Sequence, residues 1–498
     1  MNIKNRLKLA AKQTAENLKS RLQKHPDPRL QIPWNFAQVG MLIFPLIPIL
    51  GALGLFLGLV GTCKQKFRQI SRRPLNRGFA ILSALLVITA VFAHNRIEAF
   101  VGLYNFLPFF ILFAAFSSLI QTLPQLRQLS WMIVISSIPV IILGLGQQFL
   151  GWSGIDQLQP VFGWVLAPQG NPPGRMASVF MYANILACYL TIAFILALGL
   201  WMEEVSCQLA VVSRHHLPMP NAQFPIPNSQ FLFLSCAAIG NAVALIFTNS
   251  RNAWVMAVLA VLAFAFYAGY KKLLAAVLSV ASTIFLSAFG PEPLRQSLRR
   301  IVPAFFWARL TDEMFPNRPT ATLRKTQWEF AWSMTQQRPW TGWGLRNFTA
   351  LYQAQMQEWL GHPHSLILML TAETGIPTTL FFLGLVGWVL ARGVLLLVNW
   401  QSHFPVDTQQ QQIAAQETKE NSMSDITNRV ICQEQNSGDR LIFFSYLLAF
   451  AACTLFNTVD VTLFDFRLNT TSWLLLAAIC GVSQRASGIG HRESGIGH

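Results

Sequence analysis

Residues 376–398 read IPTTLFFLGLVGWVLARGVLLLV, and Arg392 is the one formal charge among them. At about 1.5 Å of rise per residue, a helix of this length crosses the roughly 30 Å hydrocarbon core of a bilayer. Ten further uncharged apolar runs lie at about 38–61, 79–93, 106–121, 131–150, 176–202, 231–248, 254–270, 273–290, 441–459 and 471–484. With 53% hydrophobic residues and a mean hydropathy of +0.41, the chain reads as an all-α polytopic membrane protein, a helical bundle of about 11–12 transmembrane helices.

The runs divide the chain. Residues 1–33 form a basic cytoplasmic tail, 34–290 an N-terminal transmembrane bundle, 291–375 a large extracytoplasmic loop, and 376–484 the C-terminal transmembrane helices with a cytoplasmic linker at 401–440. Residues 485–498 form a C-terminal tail carrying SGIGH twice. In the first segment Leu7, Ala11, Leu18 and Leu22 recur at helical spacing among Lys4, Lys8, Lys12, Lys19, Arg21 and Lys24. That pattern fits an amphipathic helix on an anionic leaflet, and equally a solvated basic tail. No short apolar segment with a small-residue cleavage site opens the chain, so no signal peptide is expected.

The net charge of +16 sits in tails and loops, where membrane topology alone places it, and gives no reason to expect a nucleic-acid partner. Seven cysteines without a CxxC pair predict neither a disulfide framework nor a zinc site.

Parity sets sidedness. Two spans separate the segment before 176 from the turn at 248–253, two more lead to the large loop, and two more to VDVTLFDFRLN at 459–469. These four polar segments share one face, while Lys271, Lys272 and the linkers at 203–230 and 401–440 share the other, which is expected to be cytoplasmic together with both termini. The strongly basic segment 62–78 belongs inside as well. The run 38–61, with Pro45, Pro48, Gly51, Gly54 and Gly58, therefore predicts a kinked or re-entrant helical hairpin rather than one straight span.

Chemistry concentrates on the face opposite the linkers. In GHPHSLILMLTAETGIP at 361–377, Pro363 suits a first helical turn, Gly375 the position past its end, and Pro377 a stop. His364 is then expected in the first turn, where free backbone N–H groups and the helix dipole favour a neighbouring anion. A neutral imidazole beside an anion site is what a general base needs. Glu373, nine residues on at about 100° each, falls on the opposite helix face and is not expected to pair with it.

Arg175 in NPPGRMAS, Arg251 in TNSRNAW and Arg324 in LRKTQWEFAW lie on the same face. Guanidinium groups bind phosphate bidentately and keep their charge, so their convergence there points to a phosphate or pyrophosphate ligand; singly, each could be an interfacial snorkelling arginine. Arg346, His362, Trp328 and Asp465 are further candidates for substrate contacts. Two histidines spaced i, i+2 without a cysteine or carboxylate cluster are a weak metal signal, so no metal or other cofactor is expected.

In order, SRNAW, the R-x3-W of Arg324 and Trp328, RPWTGWGLRNF at 338–348 and HPHSLILMLTAETGIP resemble the motifs of the O-antigen ligase and polymerase superfamily of bacterial membrane glycosyltransferases. VDVTLFDFRLNTTSW resembles a branch of that superfamily formerly described as bicarbonate (inorganic carbon) transporters. The resemblance implies a GT-C-like bundle in the bacterial plasma membrane. It implies an undecaprenyl-pyrophosphate-linked glycan as donor, an acceptor glycan or lipid, and metal-independent inverting transfer. The family's essential histidine would fall on His364, with Ser365 where an asparagine is usual, and its arginines on Arg251 and Arg324, with Arg175 a weaker match.

Two other classes compete. A bicarbonate or other small-solute transporter would place ionisable residues near the bilayer midplane, where this chain offers only Asn184, Asn241, Asn457 and Arg392. A non-catalytic glycolipid-binding protein would bind the donor without turnover.

Overall fold

The computed structural model describes residues 23–154, 159–214, 229–311, 313, 319–404, 422–462 and 464–493. The amphipathic pattern of residues 4–22, most of the polar stretches of both linkers, and the second SGIGH lie outside the described residues. Among the described residues no strand forms, and a lone bridge joins Gly170 and Arg175.

The helices run in chain order as α1 (Gln31–Ile43), α2 (Pro48–Arg72), α3 (Pro74–Val91), α4 (Arg96–Gly102), α5 (Leu107–Leu119), α6 (Leu123–Phe149), α7 (Ala183–Arg214), α8 (Ser229–Phe247), α9 (Arg251–Tyr267) and α10 (Lys271–Phe289). Then come α11 (Leu294–Arg299), α12 (Ala304–Leu310), α13 (Arg324–Gln337), α14 (Asn347–Met356), α15 (Leu366–Thr374), α16 (Ile376–Val398), α17 (Ser422–Val459) and α18 (Phe466–Glu493). Among the described residues nine helical segments are long and apolar enough to cross a membrane. The shorter apolar α9, the 13-residue α1 and α18 complete the alternating path.

The run 38–61 does fold as a hairpin. The α1 and α2 backbones meet at glycines: a Cβ on Gly40 would lie 2.9 Å from the Gly51 carbonyl oxygen, and one on Gly54 2.9 Å from Gly40 Cα. The hairpin is not a shallow re-entrant loop. His25 Nε2 lies 3.0 Å from the Leu119 carbonyl at the end of α5, whereas the turn at Pro45 meets Arg467 at the start of α18. It therefore runs the full depth of the bundle, and residues 25 and 72 return to one face.

The large loop has its own small core, in which Phe330, Phe348 and Tyr352 interlock with Met334 and Ala372. The RPWTGWGLRNF motif fastens this core to the bundle. Trp343 N–H donates to the Ala372 carbonyl and the Trp343 carbonyl accepts from His94 N–H, each at 2.9 Å, while the Asn347 side-chain oxygen accepts from Asn95 N–H at 2.7 Å. The loop is thus held where α15 enters α16, which fixes the position of the segment carrying His364.

Candidate active site

Gly375 ends α15 as the sequence predicts, with φ at 78°. α15 stops before Pro377 as expected, and Pro377 sits in the first turn of α16, where its missing N–H costs nothing. One local expectation is corrected. His364 is not in the first turn of α15: Ser365 is its N-cap, and His364 precedes it with φ at +50°. A left-handed backbone is uncommon for histidine and costs on the order of 1 kcal/mol or more. His362 helps to hold it, its Nδ1 accepting from His364 N–H at 3.2 Å.

The imidazole of His364 points to the end of α17. Its Nδ1 lies 2.9 Å from Asp460 Oδ1, and Asp460 is only 2% exposed. Burial by itself would raise the Asp460 pKa. The hydrogen bond from His364, aided by the charges of His362, His364 and Arg324, outweighs it and holds the carboxyl down to about 2. An ionised carboxylate only accepts, so Nδ1 carries a proton toward Asp460, and in the neutral imidazole the lone pair is then on Nε2. Burial also pulls the His362 imidazole down to about 4, with His364 and Arg324 adding to the effect and Asp460 opposing it.

Above this pair lies a cavity of about 300 Å³ lined by Arg175, Arg251, Arg309, Arg324 and His364, with Tyr182 and Asn184. Each arginine arrives from a different element. Gly170 makes the turn before Arg175 possible: its φ is +85° and a Cβ would meet the Arg175 carbonyl oxygen at 1.9 Å. Arg175 Nε donates to the Thr248 carbonyl at 2.9 Å, and Arg309 Nε to the Asn249 carbonyl at 3.0 Å. Arg251 and Arg324 are the first residues of α9 and α13. The 248–250 turn is therefore the frame on which the cationic wall is built.

The wall and the histidine are joined. Asn184 Oδ1 accepts from the Arg175 guanidinium, and Asn184 Nδ2 donates to Asp460 Oδ2. Arg175, Asn184, Asp460 and His364 form one continuous chain of hydrogen bonds.

Of the sequence candidates, the structure brings Arg175, Arg251, Arg324 and His364 to the cavity and His362 beside it. The other three stand apart. Arg346 pairs with Glu98 at 3.1 Å and ties the loop to α4. Asp465 caps α18, accepting from Arg467 and Leu468 N–H at 2.9 and 3.0 Å and pairing with the buried Arg467 guanidinium. Trp328, one turn after Arg324 in α13, does not line the cavity, and its indole N–H is buried without a hydrogen-bond partner among the described residues. Sequence reasoning missed Asp460, Asn184 as a bridging group, and Arg309. Asp460 could have been found as the acid that directly ends an apolar run with no basic residue within four positions, whereas Asp465 has Arg467 two residues on.

Ring nitrogens of His362 and His364 and a carboxylate oxygen of Asp460 lie within 4.8 Å of one another, the ligand types and spacing of a metal centre. Charge and hydrogen bonding speak against that role. Four guanidinium groups line the same cavity, so a divalent cation would be held against their repulsion. Both Asp460 oxygens already accept hydrogen bonds, from His364, Val461 N–H and Asn184.

The arrangement can bind a polyanion in the arginine wall and accept a proton on His364 Nε2. No curated protein matches the chain. Residues 236–383 of this membrane protein match the O-antigen ligase family model, and this segment, which carries Arg251, Arg309, Arg324 and His364, is what the chain shares with O-antigen ligases.

Proposed function

We propose that the protein transfers a glycan from a polyprenyl-pyrophosphate donor to an acceptor hydroxyl at the extracytoplasmic face of the plasma membrane. The observation that carries this reading is the single cavity in which four arginines face a carboxylate-oriented histidine. The arginines receive the pyrophosphate. The acceptor hydroxyl gives its proton to His364 Nε2 while its oxygen bonds to the anomeric carbon. The bond from that carbon to the pyrophosphate oxygen breaks, its electron pair leaving on an oxygen that the guanidinium groups stabilise. Attack opposite the leaving group inverts the anomeric centre. A pyrophosphate leaving group stabilised in this way requires neither a metal nor a separate acid.

The location of the cavity at the helix ends supports transfer over solute transport, which would favour polar groups at the bilayer midplane. The test is transfer from a purified polyprenyl-pyrophosphate oligosaccharide to a glycan or lipid-linked acceptor, with EDTA present. Transfer by wild type that disappears in His364→Ala and Arg251→Ala supports the reading. Uptake of labelled bicarbonate into proteoliposomes without glycan transfer would replace it.

A further inference from the structure

Arg392, the lone charge in the eleven apolar runs, takes no part in the arginine cavity. It lies sixteen residues into α16, about 24 Å along the helix from the loop end. It lines a second cavity, of about 360 Å³, together with Arg73, Trp388, Cys480, Ser483 and Gln484. Arg73 sits at the joint between α2 and α3, and Ser483 lies seventeen residues into α18, a similar depth. This cavity is therefore at the opposite membrane face from His364.

Neither arginine pairs with a carboxylate among the described residues. Arg73 Nη1 donates to Ser117 Oγ at 3.2 Å and Arg392 Nη2 to Ser487 Oγ at 2.9 Å. Arg392 is exposed on a helix whose outer surface faces lipid, where an uncompensated guanidinium is unfavourable. Beside it Ser483 and Gln484 give the cavity a polar floor. Trp388, 59% exposed, and Leu75 add an apolar wall beside the two cations. Two fixed positive charges with free N–H donors, a polar floor and an apolar flank fit one chemistry: a phosphate monoanion carrying a hydrocarbon. The exposed Arg72 and Arg77 next to the cavity extend the positive surface.

We propose that Arg73 and Arg392 form a phosphate-binding site for an anionic phospholipid headgroup at the membrane face opposite the arginine cavity. The lipid neutralises Arg392 within the bilayer and bridges α3, α16 and α18.

The test is thermal unfolding of the purified full chain in mixed micelles. Phosphatidylglycerol is expected to raise the wild-type Tm by several degrees, with phosphatidylcholine giving no such rise. Arg73→Gln/Arg392→Gln is expected to lose the rise, and Lys271→Gln/Lys272→Gln, on the same face but outside the cavity, to keep it. If the double variant is recovered only as aggregate, Arg392→Gln, which gives up a single bond to Ser487, carries the comparison. An equal rise from inorganic phosphate, abolished by the same variants, would keep the phosphate site and overturn the lipid as its source. No rise in wild type, or a rise unchanged in the arginine variants, overturns the site itself.

Discussion

Asn184 links Arg175 to Asp460, so the group that faces the anion and the group that orients the base share one side chain at the start of α7. The carboxylate that receives His364 Nδ1 at 2.9 Å is thereby held on both oxygens. A base oriented in this way depends on the carboxylate for its tautomer. Asp460→Asn is expected to lower kcat by about 10²- to 10⁴-fold while the donor KM changes little, since no arginine is lost. Steady-state transfer kinetics check this, and an unchanged kcat would remove Asp460 from the mechanism.

Arg309 stands on the same wall as the three arginines legible in the sequence, anchored to the Asn249 carbonyl at 3.0 Å. If it stabilises the departing pyrophosphate, Arg309→Gln should cost about 10²- to 10³-fold in kcat, comparable to losing one donor at a site of developing charge. Arg309→Lys should recover only part, because an ammonium lacks the bidentate fork. Arg346→Gln, which loses only the Glu98 pair across 3.1 Å, is expected to leave transfer within a few fold. Equal losses in the Arg309 and Arg346 variants would argue that loop docking, and not the wall, sets the rate.

The spans and three arginines of the wall were legible because both follow local rules. An apolar run of sufficient length has one fate in a bilayer, and counting runs places every polar segment on a face. Asp460 was not legible because partner choice is a matter of three-dimensional approach: VDVTLFDF offers two aspartates, and only the fold sends one to His364 and leaves the other capping α18. Arg309 was one cation among many in the loop until the 248–250 turn drew it to the wall. His364 lies two residues ahead of α15 rather than in its first turn because the left-handed backbone at His364 delays the helix that Pro363 signals, leaving Ser365 as its N-cap. Arg346 and Trp343 belong to a motif that here clamps the loop rather than lining the cavity.

The α1–α2 hairpin rests on backbone approach that no side chain can share. A Cβ at Gly51 would lie 2.4 Å from Phe44 Cα, a contact relieved only by moving the turn. Gly51→Val is expected to destabilise the protein by about 1–3 kcal/mol through overpacking. Gly387→Ala in α16, with open space around it, should be nearly silent. Thermal unfolding in detergent reads both, and equal Tm values for the two variants would refute the tight interface.

Glu373 is 2% exposed, with its Oε1 accepting from Phe348 N–H at 3.2 Å. Burial pushes its pKa from the ordinary 4.5 up to about 7, although the Phe348 and Arg346 backbone N–H groups and the Arg346 charge pull it the other way. Between these two values the folded protein holds a proton that the unfolded chain releases. Stability contributed by that proton is complete below pH 4.5 and is lost as pH rises through about 7. Glu373→Gln keeps an acceptor for Phe348 and never ionises. It is expected to match wild type near pH 4.5 and to exceed it at about pH 8 by up to roughly 3 kcal/mol. Unfolding followed across this range checks the sign directly, and parallel pH profiles for the two proteins would mean that Glu373 stays ionised in the folded loop.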